Sequence, residues 1–61
     1  MKRRRLIRHL SKNGCNLVRE GSKHSWWGNS ERGTRAAVPR HTEISNDLAK
    51  EICKELGIPR L

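Results

Sequence analysis

The chain has 61 residues, of which 14 are Lys or Arg and 6 are Asp or Glu, giving a formal net charge of +8 at neutral pH. A chain of this length forms one domain, residues 1–61, whose core is too small to enclose a deep active site, so any chemistry belongs on a surface. No apolar run is long enough for a membrane span or a signal-peptide core, which predicts a cytoplasmic protein.

The first predicted element is a basic helix from about Lys2 to Asn13. Leu6, Ile7 and Leu10 recur at helical spacing, and Gly14 follows as a C-terminal stop. Four consecutive cations open this helix, although a helix N-terminus favours anions. Two interpretations stay open for them: a solvated helix start, or a cluster that binds phosphate.

Three short strands are predicted next. They are "CNLVRE" at 15–20, "HSWWGN" at 24–29 and "TRAAVP" at 34–39, each bounded by turn residues. Such closely spaced strands favour an antiparallel meander.

The last predicted element is a helix that follows Ser45, its expected N-cap, and stops at Gly57. Leu48, Ile52 and Leu56 are spaced to form its apolar stripe.

This α-β-β-β-α order predicts an α+β fold, a three-stranded antiparallel sheet with both helices on one face. Side chains alternate between the faces of a strand, so the sequence also assigns sides. The residues expected under the helices are Trp27, Ala36 and Val38. His24, Trp26 and Arg35 are then expected on the open face.

The charge is unevenly distributed along the chain. Residues 1–40 hold eleven Lys or Arg and two Glu, a net of +9, whereas residues 41–61 carry a net of −1. This asymmetry predicts a polyanionic partner, with nucleic acid as the leading candidate. A membrane surface is the weaker candidate, because "KRRRLIRHL" offers only a narrow apolar stripe.

No metal site is expected. Cys15 and Cys53 show no ligand spacing such as C-x-x-C, and we interpret them as reduced and buried, with a single disulfide as the alternative. Glu20, Glu31 and Glu43 are scattered, which argues against a two-metal nuclease centre. No small-molecule cofactor is predicted.

The candidate catalytic residue is His24, at the end of the turn "GSKH", in which Gly21 and Ser22 support the site. Histidine is the usual general acid or base at physiological pH. RNA carries its own nucleophile, the 2′-hydroxyl, so one base and nearby cations suffice without a metal. A structural histidine at a strand start is the alternative.

Trp26 offers a stacking surface for an unpaired base beside that turn. The complete set of residues expected to contact RNA is Arg3, Arg4, Arg5, Arg19, Lys23, Trp26, Arg35 and Arg40. We interpret the other two histidines as structural: His9 as a packing residue of the first helix, and His41 as shaping the loop before the second.

Three stretches of the chain together resemble the HicA family of toxins from bacterial and archaeal toxin–antitoxin pairs. They are "LSKNGC" at the end of the first helix, "GSKH" at 21–24, and "VPRH" at 38–41 leading into the helix that ends "KELGIP". The resemblance implies a fold similar to the double-stranded-RNA-binding domain, ribosome-independent mRNA interferase activity, and neutralisation by a HicB-type antitoxin. It also implies that His24 occupies the position of the family's catalytic histidine. The family often has a smaller or more polar residue where this chain has Trp26.

The sequence therefore predicts a metal-independent endoribonuclease toxin that cleaves single-stranded mRNA by histidine-assisted attack of the 2′-hydroxyl. The alternative is a non-catalytic RNA-binding module of the same fold, although the start of its second helix, "SNDLAKE", has few cations for binding a duplex. A basic DNA-binding or ribosome-associated protein would explain the charge but not the turn around His24.

Overall fold

The computed structural model describes all residues, 1–61, and contains five elements. They are α1 (Arg3–Lys12), β1 (Cys15–Glu20), β2 (His24–Asn29), β3 (Thr34–Pro39) and α2 (Asn46–Leu56). The strands form one antiparallel sheet in the order β1-β2-β3. The predicted fold and strand bounds are confirmed, and α1 lies one residue inside its predicted bounds at each end. No helix is both long and apolar enough to cross a membrane.

The core lies between one face of the sheet and both helices. Its eleven buried residues are Leu6, Leu10, Cys15, Trp27, Ala36, Val38, Ile44, Ala49, Ile52, Cys53 and Leu56. Each fully buried Leu or Ile contributes about 1.5–3 kcal/mol. Because both helices cover the same face, the other face of the sheet stays open to solvent, as the strand alternation predicted.

The apolar stripe of α2 differs from the prediction at one position. Leu48 is 38% exposed, whereas Ala49, Ile52, Cys53 and Leu56 are buried. The prediction for Leu48 is therefore wrong. Ala49 lies at the fourth helical position and Ile44 just before the cap, and both are buried, as in a hydrophobic staple. This staple turns Ala49 rather than Leu48 toward the core.

Both predicted ends of α2 are confirmed. The Ser45 hydroxyl accepts a hydrogen bond from the Leu48 amide at 3.2 Å, and Gly57 adopts a left-handed conformation with φ of 72°. The sheet satisfies the carbonyl of Leu56, which accepts bonds from the Asn29 amide at 2.8 Å and the Thr34 hydroxyl at 3.2 Å. These bonds fix α2 against β2 and β3.

The start of α1 is bound to the segment that precedes α2. The Arg3 amide donates to the carbonyl of Thr42 at 2.8 Å, and the Ile44 amide donates to the carbonyl of Met1 at 2.8 Å. Lys2 forms an ion pair with Glu43, with 2.6 Å between Nζ and Oε2. The basic start of the chain therefore lies beside the end of β3.

A β-bulge in β1 decides which of its side chains face the helices. Leu17 pairs with Trp27 and Arg19 pairs with Trp26, so Val18 is an extra residue between them. The bulge shifts the alternation by one residue. Arg19 consequently lies on the open face opposite Trp26, and the next residue, Glu20, pairs with a covered position.

Candidate active site

The turn between β1 and β2 carries the predicted catalytic residue. The Gly21 amide donates to the carbonyl of His24 at 2.8 Å and closes the turn. His24 is the first residue of β2, pairs with Pro39 of β3, and has an exposed side chain. The structure therefore places His24 at the rim of the open sheet face.

Trp26 contacts this turn through its indole. A Cβ atom built on Gly21 would lie 3.7 Å from Nε1 of Trp26 and 3.2 Å from the carbonyl oxygen of His24. A glycine is favoured at this position because the carbonyl of His24 comes close to it, whereas the indole lies at an ordinary contact distance. Trp26 remains 38% exposed, so much of its surface is open to a ligand.

The predicted cations of the open face lie at two distances from His24. Lys23 is exposed in the turn itself, and Arg19 lies across from Trp26. Arg35 pairs with Gly28, four residues along β2 from His24, which corresponds to about 13 Å of strand. The structure thus brings Arg19 and Lys23 near the turn and leaves Arg35 further along the sheet.

A polar network lies behind the turn, on its covered side. The buried hydroxyl of Ser25 donates to Oε1 of Glu20 at 2.7 Å, and Nη2 of Arg40 donates to the same oxygen at 2.9 Å. Arg40 also donates to the backbone carbonyls of Gly21 and Ser22. Its guanidinium therefore binds the turn itself, although the sequence suggested a phosphate contact.

Arg3 extends this network from α1. Its Nε donates to the carbonyl of Pro39 at 2.7 Å, and its Nη2 donates to the hydroxyl of Ser25 at 2.9 Å. The guanidinium, predicted to contact RNA, is thus half-buried and engaged within the protein. Arg4 and Arg5, which follow it, are exposed.

No role for Glu20 or Ser25 in the site was predicted from the sequence. A lone glutamate at the end of a strand carries no spacing signal, and the bulge that turns it toward Ser25 is invisible in the sequence. The hydrogen bond from Ser25, and then that from Arg40, lower the pKa of the Glu20 carboxyl. Glu20 is therefore a carboxylate at neutral pH and a strong acceptor for both donors.

A shallow cationic notch of about 350 Å³ opens next to the network. Its lining residues are Lys2, Arg3, Arg4, Arg40 and Thr42. Arg40 binds the turn and Arg3 binds Ser25, which follows the turn, so this notch lies on the same side of the molecule as the turn. Its four cationic side chains favour an anion as ligand.

The remaining titratable residues lie away from the turn. Cys15 and Cys53 are buried free thiols, and burial raises the pKa of both, with the neighbouring Cys53 raising that of Cys15 further. No group of three or more His, Cys, Asp or Glu side chains is placed to hold a metal ion.

The other two histidines do not join the turn either. His9 is half-buried in α1, where its Nε2 donates to the carbonyl of Pro59 at 2.6 Å, which confirms a packing role. His41 is exposed in the loop before α2.

One family model matches the chain over residues 3–58, and its description is HicA toxin of bacterial toxin–antitoxin. The matched span includes all five elements, the turn and the polar network. No curated protein and no solved structure shows significant similarity to the chain.

Proposed function

The chain belongs to the HicA toxin family, and from this premise we propose that it is a metal-independent endoribonuclease that cleaves single-stranded mRNA and is neutralised by a HicB-type antitoxin. One observation carries the proposal: an exposed histidine ends a turn whose backbone Arg40 binds through two carbonyls, beside a half-exposed tryptophan and several cations. Fixed geometry around an accessible base is what proton transfer to and from RNA requires.

In the proposed reaction His24 acts on the 2′-hydroxyl of a bound ribose. The imidazole accepts the hydroxyl proton while the 2′-oxygen forms a bond to the adjacent phosphorus. The bond from phosphorus to the 5′-oxygen breaks, and that oxygen takes a proton from the imidazolium or from water. The products are a 2′,3′-cyclic phosphate and a 5′-hydroxyl, and His24 contributes about 10²–10⁴-fold in rate.

The other predicted residues hold the RNA in this scheme. Trp26 stacks on an unpaired base, and Arg19 and Lys23 contact phosphates close to the scissile one. Arg35, on β3 opposite Gly28, lies too far from His24 for the same phosphate and contacts another one.

The notch beside α1 takes a flanking phosphate in the same scheme. Arg4 lines the notch and Arg5 lies next to it along α1, so both add positive charge there. Arg3 and Arg40 contribute only those N–H groups that are not already hydrogen-bonded within the protein. These long-range contacts add affinity without sequence preference.

Replacing His24 with Ala tests the proposal. We expect His24→Ala to cut a single-stranded RNA about 10²–10⁴-fold more slowly than the parent, with unchanged RNA affinity and thermal midpoint, because the side chain is exposed. His41→Ala is the matched control, since it removes another exposed histidine whose side chain makes no hydrogen bond to the turn. The assay is cleavage in EDTA, with the product ends identified by mass spectrometry.

Each other outcome has a defined meaning. Cleavage by His24→Ala at the parent rate would make His24 structural. Loss of cleavage in EDTA would contradict the metal-independent mechanism. Tight RNA binding without cleavage by either protein would favour the non-catalytic RNA-binding module.

A further inference from the structure

We propose that Glu20 and Arg40 are positioning residues, which hold the turn 21–24 so that His24 is presented to RNA in one geometry. This inference rests on the proposed function of His24. Neither side chain needs to touch the substrate, because both act on the backbone and the neighbour of His24.

Glu20 links the two sides of the turn. It is the last residue of β1, and its Oε1 accepts hydrogen bonds from Ser25 at 2.7 Å and from Arg40 at 2.9 Å. Ser25 directly follows His24 and is buried, with 1% of its surface exposed. A shift of Glu20 would therefore move the residue next to His24.

Arg40 holds the backbone of the turn itself. It donates to the carbonyls of Gly21 and Ser22 in addition to the carboxylate of Glu20. A four-residue turn closed by one backbone hydrogen bond has few internal restraints. The planar guanidinium of Arg40 supplies several donors in a fixed arrangement, which a lysine ammonium does not.

The network continues to the strand partner of His24. Arg3 bonds both the Ser25 hydroxyl and the carbonyl of Pro39, and Pro39 is the residue that pairs with His24 across β2 and β3. The residues before, after and opposite His24 are thereby connected to one set of hydrogen bonds. Misplacement of a catalytic group by about 1 Å can reduce the rate about 100-fold, so such restraint matters for cleavage.

The exposure of Glu20 and Arg40 indicates that they position the turn and do not stabilise the fold as a whole. The side chains of Glu20 and Arg40 are 54% and 43% exposed, and ion pairs this exposed add little to global stability. Variants at these positions should therefore fold. We expect these substitutions to change the conformation of the turn 21–24 and not the global stability.

The test compares Glu20→Gln with Glu31→Gln, a matched control that removes the same charge from an exposed turn outside the network. We expect Glu20→Gln to lower kcat for RNA cleavage about 10- to 100-fold, with KM and thermal midpoint equal to those of the control. Hydrogen exchange of the Gly21 amide, which donates to His24, should become about tenfold faster or more.

A second pair of variants tests Arg40. Arg40→Lys keeps the positive charge but loses the planar set of N–H donors. We therefore expect it to lower kcat and to speed hydrogen exchange of the Gly21 amide, as Arg40→Ala does. A residue that only binds phosphate would behave differently: Arg40→Lys would restore activity, and Arg40→Ala would raise KM with kcat unchanged. That result would overturn the role of Arg40.

The remaining outcomes also decide the inference. Equal kcat and equal Gly21 exchange in Glu20→Gln and Glu31→Gln would overturn the role of Glu20. If the parent cuts no RNA, the proposed function fails, and with it the catalytic purpose of the network. The exchange of the Gly21 amide still shows in that case whether Glu20 and Arg40 hold the turn.

Discussion

Trp26 has two neighbours of different kinds, the backbone of Gly21 on one side and solvent on the other. Its exposed surface is the largest aromatic surface on the open face. We expect Trp26→Ala to weaken single-stranded RNA binding by about 1–3 kcal/mol, or roughly 5- to 150-fold, through loss of one stacked base.

The measurement for this variant is fluorescence anisotropy of a labelled RNA at fixed salt. Leu48→Ala is the matched control, because Leu48 is also 38% exposed but lies on α2, away from the open face. An equal loss of affinity in both variants, or no loss in either, would exclude base stacking on Trp26.

Regular strand pairing explains which positions the sequence predicted correctly, and an irregularity in β1 explains which ones it missed. β2 and β3 pair without irregularity, so alternation placed His24 and Trp26 on the open face correctly. The bulge at Val18 breaks the alternation in β1, and no residue type announces it. The partners of Glu20 and Arg3 therefore needed the structure.

The cations that open α1 divide into two groups, and for the exposed pair the two interpretations from the sequence, a solvated helix start or phosphate binding, both remain open. Lys2 pairs with Glu43 and Arg3 joins the polar network, whereas Arg4 and Arg5 are exposed. No acidic residue occupies the first turn of this helix, so positive charge there opposes the helix dipole. Removing Arg4 and Arg5 should leave the fold intact.

We expect the double variant Arg4→Ala with Arg5→Ala to flatten the salt dependence of RNA binding. Each phosphate contact on a single strand contributes a slope of about −0.7, so the change is up to about 1.4 units. Affinity titrations from low to high salt measure it. Lys50→Ala with Lys54→Ala, which removes the same charge from α2, should leave the slope nearly unchanged; an equal change would reduce the role of α1 to net charge.

The N-cap of α2 offers a test of stability that does not touch the turn. Ser45→Ala removes the hydroxyl that accepts from the Leu48 amide, and we expect a loss of about 0.5–2 kcal/mol in the free energy of unfolding. Urea denaturation measures this value, with Ser30→Ala, an exposed serine in a turn, as the control. RNA cleavage per folded molecule should not change.

The elements of the chain were largely predictable because their ends are marked. Ser45 and Gly57 bound α2, and turn residues separate the strands, so local chemistry sets these limits. The side of α2 that faces the core was less certain, since Leu48 and Ala49 are both compatible with a stripe through Ile52. Ile44, just before the cap, and Ala49 are spaced for a hydrophobic staple, which is a local signal for the second choice, and both are buried in the core.

For the molecule as a whole, two carboxylates predict how stability depends on pH. A hydrogen bond from Lys2 is the main cause that lowers the pKa of Glu43, as the bond from Ser25 is for Glu20. A carboxyl group whose pKa is lower in the folded state stabilises the fold at pH values above the ordinary glutamate pKa. This stabilisation is lost as the pH falls through the pKa of the folded state.

We therefore expect the urea midpoint to fall as the pH drops below about 4, with only a small part of this loss due to Glu20 and Glu43, because both side chains are more than half exposed. Glu20→Gln with Glu43→Gln should flatten this acid limb relative to the parent. Glu31→Gln serves as the control and should keep the parent slope. If the urea midpoint falls equally steeply with decreasing pH in all three proteins, Glu20 and Glu43 do not contribute to acid unfolding.

The hydrogen bonds of Arg3 span 22 residues to Ser25 and 36 residues to Pro39, and this has a consequence for the time at which the turn becomes organised. A ribosome delivers the chain from its first residue, so the residues of α1, β1 and β2 are made before Pro39 and Arg40. During that interval the turn has only its own backbone bond. On the proposed function, a nascent chain acquires its activity only after this late segment has joined. A chain that ends before Arg40 thus contains His24 but lacks the side chain that binds the turn.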